Sequence, residues 1–253
     1  MRLKKYPILE YDSSRKVIVA PGMFYKKELP EHCVICFFDD VLKKIRRKGE
    51  GKLIGHLSSE MGKQPIFEML INKKRLVVFH SAVGAPMAAG FLEEIIAKGC
   101  NKIIACGGAG VLNKEIAVGK IIVPASAVRD EGTSYHYIPP GREVSAGKKG
   151  VKAIIKVLEK YKIGHIVGKT WTTDGFYRET LSKIKARKAE GCITVEMEAA
   201  AFFAVAKYRK IIFAQMLYGG DDCSGSKWDS RQWNRCSIRE RLFRLSCEAC
   251  LSL

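Results

Sequence analysis

The sequence predicts an α/β fold: a single domain over residues 1–253 with a mixed, largely parallel central sheet flanked by helices. Three observations predict it. Short apolar runs alternate with longer amphipathic ones along the chain. Glycines gather directly after apolar runs, where a strand hands over to a loop or helix. No repeat, low-complexity tract or linker breaks the pattern, and 253 residues at 47% hydrophobic content suffice for one large core.

The elements follow in order. An apolar run covers 33–38, and 75–80 reads as a buried strand. The stretch 86–98 reads as a helix, with Pro86 in its first turn, Gly99 after its last, and Ala89, Leu92, Ile95 and Ile96 on its buried face. Strands are expected at 102–106 and 121–123. The stretch 148–160 is an amphipathic helix with Val151, Ile154, Ile155 and Leu158 on one face. Strand returns at 165–170, helix at 176–188, strand at 192–195, helix at 196–207 and strand at 211–218. A last helix spans 237–251, with Ser237 as its cap.

Composition excludes several classes. No apolar run approaches the roughly 20 residues that span a bilayer, and the opening residues lack the apolar stretch of a secretory signal, so a soluble, cytoplasmic chain without membrane partners is expected. Cys33 and Cys36, like Cys247 and Cys250, stand three apart, but they lie in an apolar run and at helical spacing without zinc-knuckle turn residues. The nine cysteines are expected to be reduced core residues, and no metal or organic cofactor is expected. The net charge of +18 comes from basic residues scattered over helix faces, with no aromatic-interleaved or Cys/His nucleic-acid motif, so no specific nucleic-acid partner is expected.

In such sheets ligands sit beyond the carboxyl ends of strands. Four segments there carry candidate chemistry. In Thr194-Val195-Glu196-Met197-Glu198-Ala199-Ala200-Ala201, two carboxylates stand where a strand turns into a helix. They could grip vicinal hydroxyls such as those of a ribose, or simply complement the helix dipole. In Ala105-Cys106-Gly107-Gly108-Ala109-Gly110-Val111, successive amides could cradle an anion or a base edge, or the glycines could serve tight packing. Trp171 followed by Thr172 and Thr173 could offer a π-face and hydroxyls to a heterocycle, or Trp171 could be a core aromatic. Asp221 and Asp222, after the strand at 211–218, could supply a proton to a departing nitrogen or form an ordinary turn.

These segments together resemble the nucleoside phosphorylase superfamily of purine and uridine phosphorylases and related nucleosidases. The resemblance covers roughly residues 15–250. It rests on the Glu196-Met197-Glu198 octet, on 102–112 with Val118-Gly119-Lys120-Ile121-Ile122-Val123-Pro124, and on Trp171-Thr172-Thr173-Asp174-Gly175-Phe176-Tyr177. Val83-Gly84-Ala85-Pro86 and Asp130-Glu131-Gly132-Thr133-Ser134-Tyr135-His136-Tyr137 add to it. It implies a nucleoside phosphorylase-like fold and cleavage of the N-glycosidic bond of a purine or pyrimidine nucleoside, with inorganic phosphate as the family's usual nucleophile. It implies Glu196, Met197 and Glu198 at the sugar, with His136 a candidate for the 5′-hydroxyl, and Trp171, Thr172 and Thr173 at the base. Asp221 would assist the leaving group while Asp174 braces its loop. A homo-oligomer built from dimers, such as a hexamer, is implied as well.

The phosphate site matches least. The family's arginine in the glycine segment falls on Ala105 and its hydroxyl residue on Gly108, leaving Gly107 and Gly108 as backbone donors. Its early Gly-Asp-Pro-x-Arg loop aligns with Pro21-Gly22-Met23-Phe24-Tyr25-Lys26, so Gly22 is retained and Lys26 is a point charge in place of an arginine fork. Arg129 is a substitute by position only. The missing arginines open the alternative of a nucleosidase that uses water; a non-catalytic nucleoside-binding oligomer has no need of Glu198 or Asp221.

Overall fold

Alternate residues of the central strands feed two different cores, as a period of two requires of a sheet covered on both faces. The computed structural model describes residues 3–22, 28–233 and 237–253. The elements in chain order are β1 (His32–Cys36), α1 (Asp39–Arg47), β2 (Lys52–Ser59), β3 (Gly62–Ile71), β4 (Lys74–Phe79), α2 (Ala85–Ala97), β5 (Lys102–Val111), β6 (Ile121–Asp130) and β7 (Glu143–Ser145). They continue with α3 (Lys148–Lys160), β8 (His165–Thr173), α4 (Leu181–Ala189), β9 (Cys192–Glu196), α5 (Ala199–Arg209), β10 (Ile212–Asp222) and α6 (Ile238–Leu251).

Cys33, Ile35, Val77, Phe79, Ile103, Ala105 and Phe213 face α2 and α5. Val34, Cys36, Leu76, Val78, Ile104, Cys106, Ala214 and Met216 face α1, α3 and α6. The strands run β10-β6-β8-β9-β5-β1-β4-β3-β2, with β7 beside β6, and β10 also pairs with β5. That extra pairing closes β5, β10, β6, β8 and β9 into a ring, and an open wing of β1, β4, β3 and β2 leaves it at β5. Ala109, Val111, Ile122, Leu217, Ile166 and Ile193, drawn from all five ring strands, pack together as a separate small cluster. The sheet is mixed: β1–β4, β1–β5, β5–β10, β6–β8 and β8–β9 are parallel, while β5–β9 and β6–β10 are antiparallel.

Several strands run longer than the apolar runs suggest. β5 continues through the glycines to Val111 because β10 pairs with it at Gly107, Gly108 and Ala109, and β6 continues to Asp130 alongside β8. The helix expected at 176–188 is two pieces, a 3₁₀ turn at Phe176–Arg178 and α4, whose N-cap Thr180 accepts a hydrogen bond from the Lys183 amide. The helix expected from Glu196 starts at Ala199, and its residues 199–206 are all buried, so its apolar surface reaches all round. The eight described cysteines are free and buried. Among the described residues no helix is long and apolar enough to cross a membrane.

The glycines of β5 make room for side chains. A Cβ on Gly110 would lie 2.9 Å from Cys223 Sγ and 3.1 Å from Val195 Cγ1, whereas one on Gly90, inside α2, meets nothing within 4 Å. Gly110→Ala is therefore expected to destabilise the protein by about 1–3 kcal/mol through overpacking. Gly90→Ala should stabilise it by roughly 0.5–1 kcal/mol through helix propensity. Thermal melts of the two variants check the opposite signs.

Candidate functional site

The carboxyl ends of β8 and β9 meet the start of α5, and buried carboxylates collect there. Glu196 is 7% exposed. Its Oε1 accepts from Thr172 Oγ1 at 2.6 Å and, more weakly, from Thr170 Oγ1 at 3.5 Å. Its Oε2 accepts from the Glu198 and Ala199 amides at 2.7 and 2.6 Å. Thr172 Oγ1 in turn accepts from the Ala200 amide at 2.9 Å. Glu196 and Thr172 thus satisfy amides that the first turn of α5 cannot pair within the helix.

Glu198, 6% exposed, is held differently: the Gly84 amide donates to its Oε1 at 2.6 Å. Gly84 precedes α2 with φ of +99°, a conformation that favours glycine and aims its N–H at the carboxylate. Burial raises the pKa of both acids, and the charge of Glu196 raises that of Glu198 further, while the donated hydrogen bonds work against the shift. Met197, half-buried, separates them.

The second acidic group lies across the sheet. Asp221 sits in an irregularity of β10 between Gly219 and Asp222. Its Oδ2 accepts from Trp228 Nε1 at 2.7 Å and from Cys223 Sγ at 3.4 Å. Its Oδ1 lies beside Gly110 together with Val195. Val195 and Glu196 are consecutive in β9, so Asp221 and the glutamate pair approach the strand ends from opposite faces. Glu179, just before α4, is pushed up to about 7 by burial and then by the charge of Asp221. The sequence reading missed Glu179; its only signal was an acid directly before a capping threonine.

Several candidates are placed where their expected roles do not fit. Trp171 is fully buried inside β8 between Val128 and Val195; its Nε1 donates to Asp130 Oδ2 at 3.0 Å, and Lys183 and Arg187 lie over its ring. It therefore has no face for a base. Thr172 is committed to Glu196 and α5, and Thr173 Oγ1 accepts from the Gly175 amide at 3.2 Å. The exposed ring at this end is Phe176, 51% accessible and packed on Tyr177 at 4.0 Å between ring centroids. Asp174 does brace its loop, accepting from the Gly132 amide at 2.9 Å.

His136 is exposed and borders a cavity of about 500 Å³ with Asp12, Glu93 and Tyr208. Tyr208 stands ten residues beyond Glu198, about 15 Å along the helix at ~1.5 Å per residue. His136 is thus remote from the sugar site.

The anion candidates scatter as well. Arg129 is 5% exposed. Its Nε donates to Ser134 Oγ at 2.8 Å, Nη1 to the Pro139 carbonyl at 2.8 Å and Nη2 to the Ile138 carbonyl at 3.3 Å, with Tyr135 under the guanidinium. It is a buried clamp on the segment after β6. Gly22 packs on Ala97 at the end of α2 and donates to Glu94 Oε1 at 3.2 Å, remote from the carboxyl ends. Gly107 and Gly108 lie in the ladder with β10, and the sites of their missing Cβ atoms are covered by Phe37 at 3.4 Å and Tyr218 at 3.1 Å. Lys26 falls outside the described residues.

The family model described as the phosphorylase superfamily matches residues 31–251. This chain belongs to the phosphorylase superfamily. A guanosine phosphorylase of Halorubrum lacusprofundi is 30% identical over 136 residues, 52% of this chain and 55% of that protein. A uridine phosphorylase of Thermococcus kodakarensis is 32% identical over 100 residues, 40% of this chain and 36% of the relative. The chain thus spans about half or less of the length of these relatives.

Among solved structures, the superfamily fold is matched by the purine nucleoside phosphorylase of Toxoplasma gondii in complex with immucillin-H. The TM-score is 0.79 at 17% identity over 94% of this chain and 98% of that one. An AMP nucleosidase from Bacteroides thetaiotaomicron matches with a TM-score of 0.73 at 18% identity over 88% of each chain. The phosphorylase superfamily therefore contains both phosphorolytic and nucleosidase-titled relatives of this fold, and the chain is a member of a nucleoside-processing enzyme family.

The buried acids dictate a pH dependence. Their folded-state pKa values lie above the ordinary 4.5, so they add stability that is complete below that value and is lost as pH rises, for Glu179 through about 7. The melting temperature is expected to fall from mildly acid to mildly alkaline pH, and Glu198→Gln should flatten the fall. A variant whose slope equals that of the wild type would show that Glu198 does not titrate in this range. Trp171→Ala should cost about 3–5 kcal/mol of stability, as expected for a fully buried indole, which a urea titration measures.

Proposed function

We propose that this protein cleaves the N-glycosidic bond of a purine or pyrimidine nucleoside, with Glu198 accepting hydrogen bonds from the sugar hydroxyls. The observation that carries this is the state of Glu198: a buried carboxylate, tethered through one oxygen to the Gly84 amide, with the other oxygen in no hydrogen bond to the described protein. Two vicinal hydroxyls supply the donors that burial withholds, and they favour the ionised form. Glu196 supports this carboxylate through the Glu198 amide. Met197 would lie under the sugar and Phe176 against the base, where Trp171 is not available.

Asp221, with Glu179 beside it, is the proposed source of the proton for the leaving base. A carboxyl that stays protonated near neutral pH suits that task. Relatives named as phosphorylases favour phosphate as the nucleophile. The composition of the site favours water, since Arg129, Gly22, Gly107 and Gly108 are all engaged in the protein's own packing and hydrogen bonding. We favour hydrolysis on that ground.

Release of free base from a panel of nucleosides, with and without phosphate, tests the reading. Equal release in phosphate-free buffer, with free pentose as co-product, is expected; release only with phosphate, giving a pentose 1-phosphate, would establish phosphorolysis. Glu198→Gln is expected to lose about 100-fold or more in kcat. Binding of a nucleoside near neutral pH should release protons from Glu198, seen as a calorimetric enthalpy that varies with the ionisation enthalpy of the buffer.

A further inference from the structure

His80 ends β4 and sits in the same corner as Glu198, although nothing above uses it. It is half-buried, and its ring packs edge-on against Phe37 with centroids 6.1 Å apart. Phe37 covers Gly107 and reaches Phe202 of α5 at 6.3 Å. Phe202 is one helical turn from Glu198, on the same face of α5. From the other direction, Gly84, four residues beyond His80, holds the Glu198 carboxylate. The imidazole is therefore tied to the sugar carboxylate along two routes, one through aromatic rings and one through the chain.

Two further observations set its chemistry. Ser81 is fully buried, and its Oγ has no hydrogen-bond partner among the described residues. Burial lowers the pKa of His80 below the ordinary 6.5, opposed by the charge of Asp39 and by backbone hydrogen bonding to Ser81 and Phe37. Asp39, first residue of α1 and ion-paired with Lys43, is the charged group facing it; β1 and α5 present the apolar Phe37 and Phe202. An imidazole that is neutral at physiological pH and has a carboxylate to stabilise its protonated form is suited to accept a proton.

We propose that His80 is the general base of hydrolysis, taking a proton from the water that attacks the anomeric carbon, with Ser81 Oγ as a second group holding that water. The proposal rests on the glycosidic-cleavage reading and adds its nucleophile and base. As the water oxygen bonds to the anomeric carbon, the carbon–nitrogen bond breaks and its electron pair leaves on the base nitrogen, which takes a proton from the acid. One proton passes to His80 and one is delivered to the leaving base, so nucleoside and water become free base and free sugar.

The test is phosphate-free kinetics of base release by the wild type, His80→Gln and Asp39→Asn from about pH 5 to about pH 9, with a thermal melt of each variant. His80→Gln is expected to lose at least about 100-fold in kcat with KM little changed, and to lose the acid limb of the pH profile. Asp39→Asn removes the charge that favours the imidazolium, so its acid limb should move to lower pH. Unchanged kcat and acid limb in a folded His80→Gln would overturn the proposal. If that variant does not fold, an unmoved limb in Asp39→Asn would overturn it. Wild-type turnover that requires phosphate would remove the water step and leave glycosidic cleavage standing, whereas no turnover of any nucleoside under either condition would bring down both.

Discussion

The Glu196 carboxylate is the joint on which this end of the molecule depends. One buried group binds the hydroxyls of β8, ends β9 and satisfies the first amides of α5. A buried carboxylate is costly unless its lone pairs are filled, and here four donors fill them. The α5 helix, buried on every side, has its start defined by this network. Glu198 is positioned as a consequence: the backbone between the two acids is fixed by the hydrogen bond of the Glu198 amide to Glu196, and the Gly84 amide completes the orientation from α2.

The closed ring explains why the site lies where it does. Because β10 pairs with β5 on one side and β6 on the other, the glycine segment of β5 is drawn into the ladder. Its missing side chains admit Phe37, Tyr218 and Cys223, which bring the ends of β1 and β10 close to β5. Backbone that might cradle an anion is spent on pairing and packing. The corner that results is aromatic and acidic, with Phe37, His80 and Asp39 at the ends of β1 and β4. Such surroundings disfavour a dianion and suit an uncharged nucleophile.

Much of the fold was legible in the sequence because apolar periodicity reports burial directly. The helices at 86–98, 148–160 and 237–251 and the strands at 75–80 and 192–195 were recovered to within a residue or two. The β2–β3 hairpin was not, since its strands are half-exposed and lack a clean apolar run. The break at Glu179 was not, because residues on either side have helical pattern and only the Thr180 cap marks the restart. For the candidate site, the glutamate pair and Gly84 were legible as motif and turn. Trp171 was misread because an aromatic at a strand end looks the same whether it faces a ligand or a helix; the register of β8 turns it under α4. Arg129 was misread because sequence position shows a charge and not its partners, here the carbonyls of Ile138 and Pro139.

The sequence by itself determined the fold class, membership of a nucleoside-processing family and the presence of paired acids at a strand-to-helix junction, because these follow from local periodicity and short motifs. Only the tertiary structure decided which oxygen of which acid is engaged, which side of the sheet Asp221 occupies, and that His80 and Ser81 stand beside Glu198. Those facts depend on pairings between segments more than a hundred residues apart, such as Gly84 with Glu198, and no local pattern encodes such a contact.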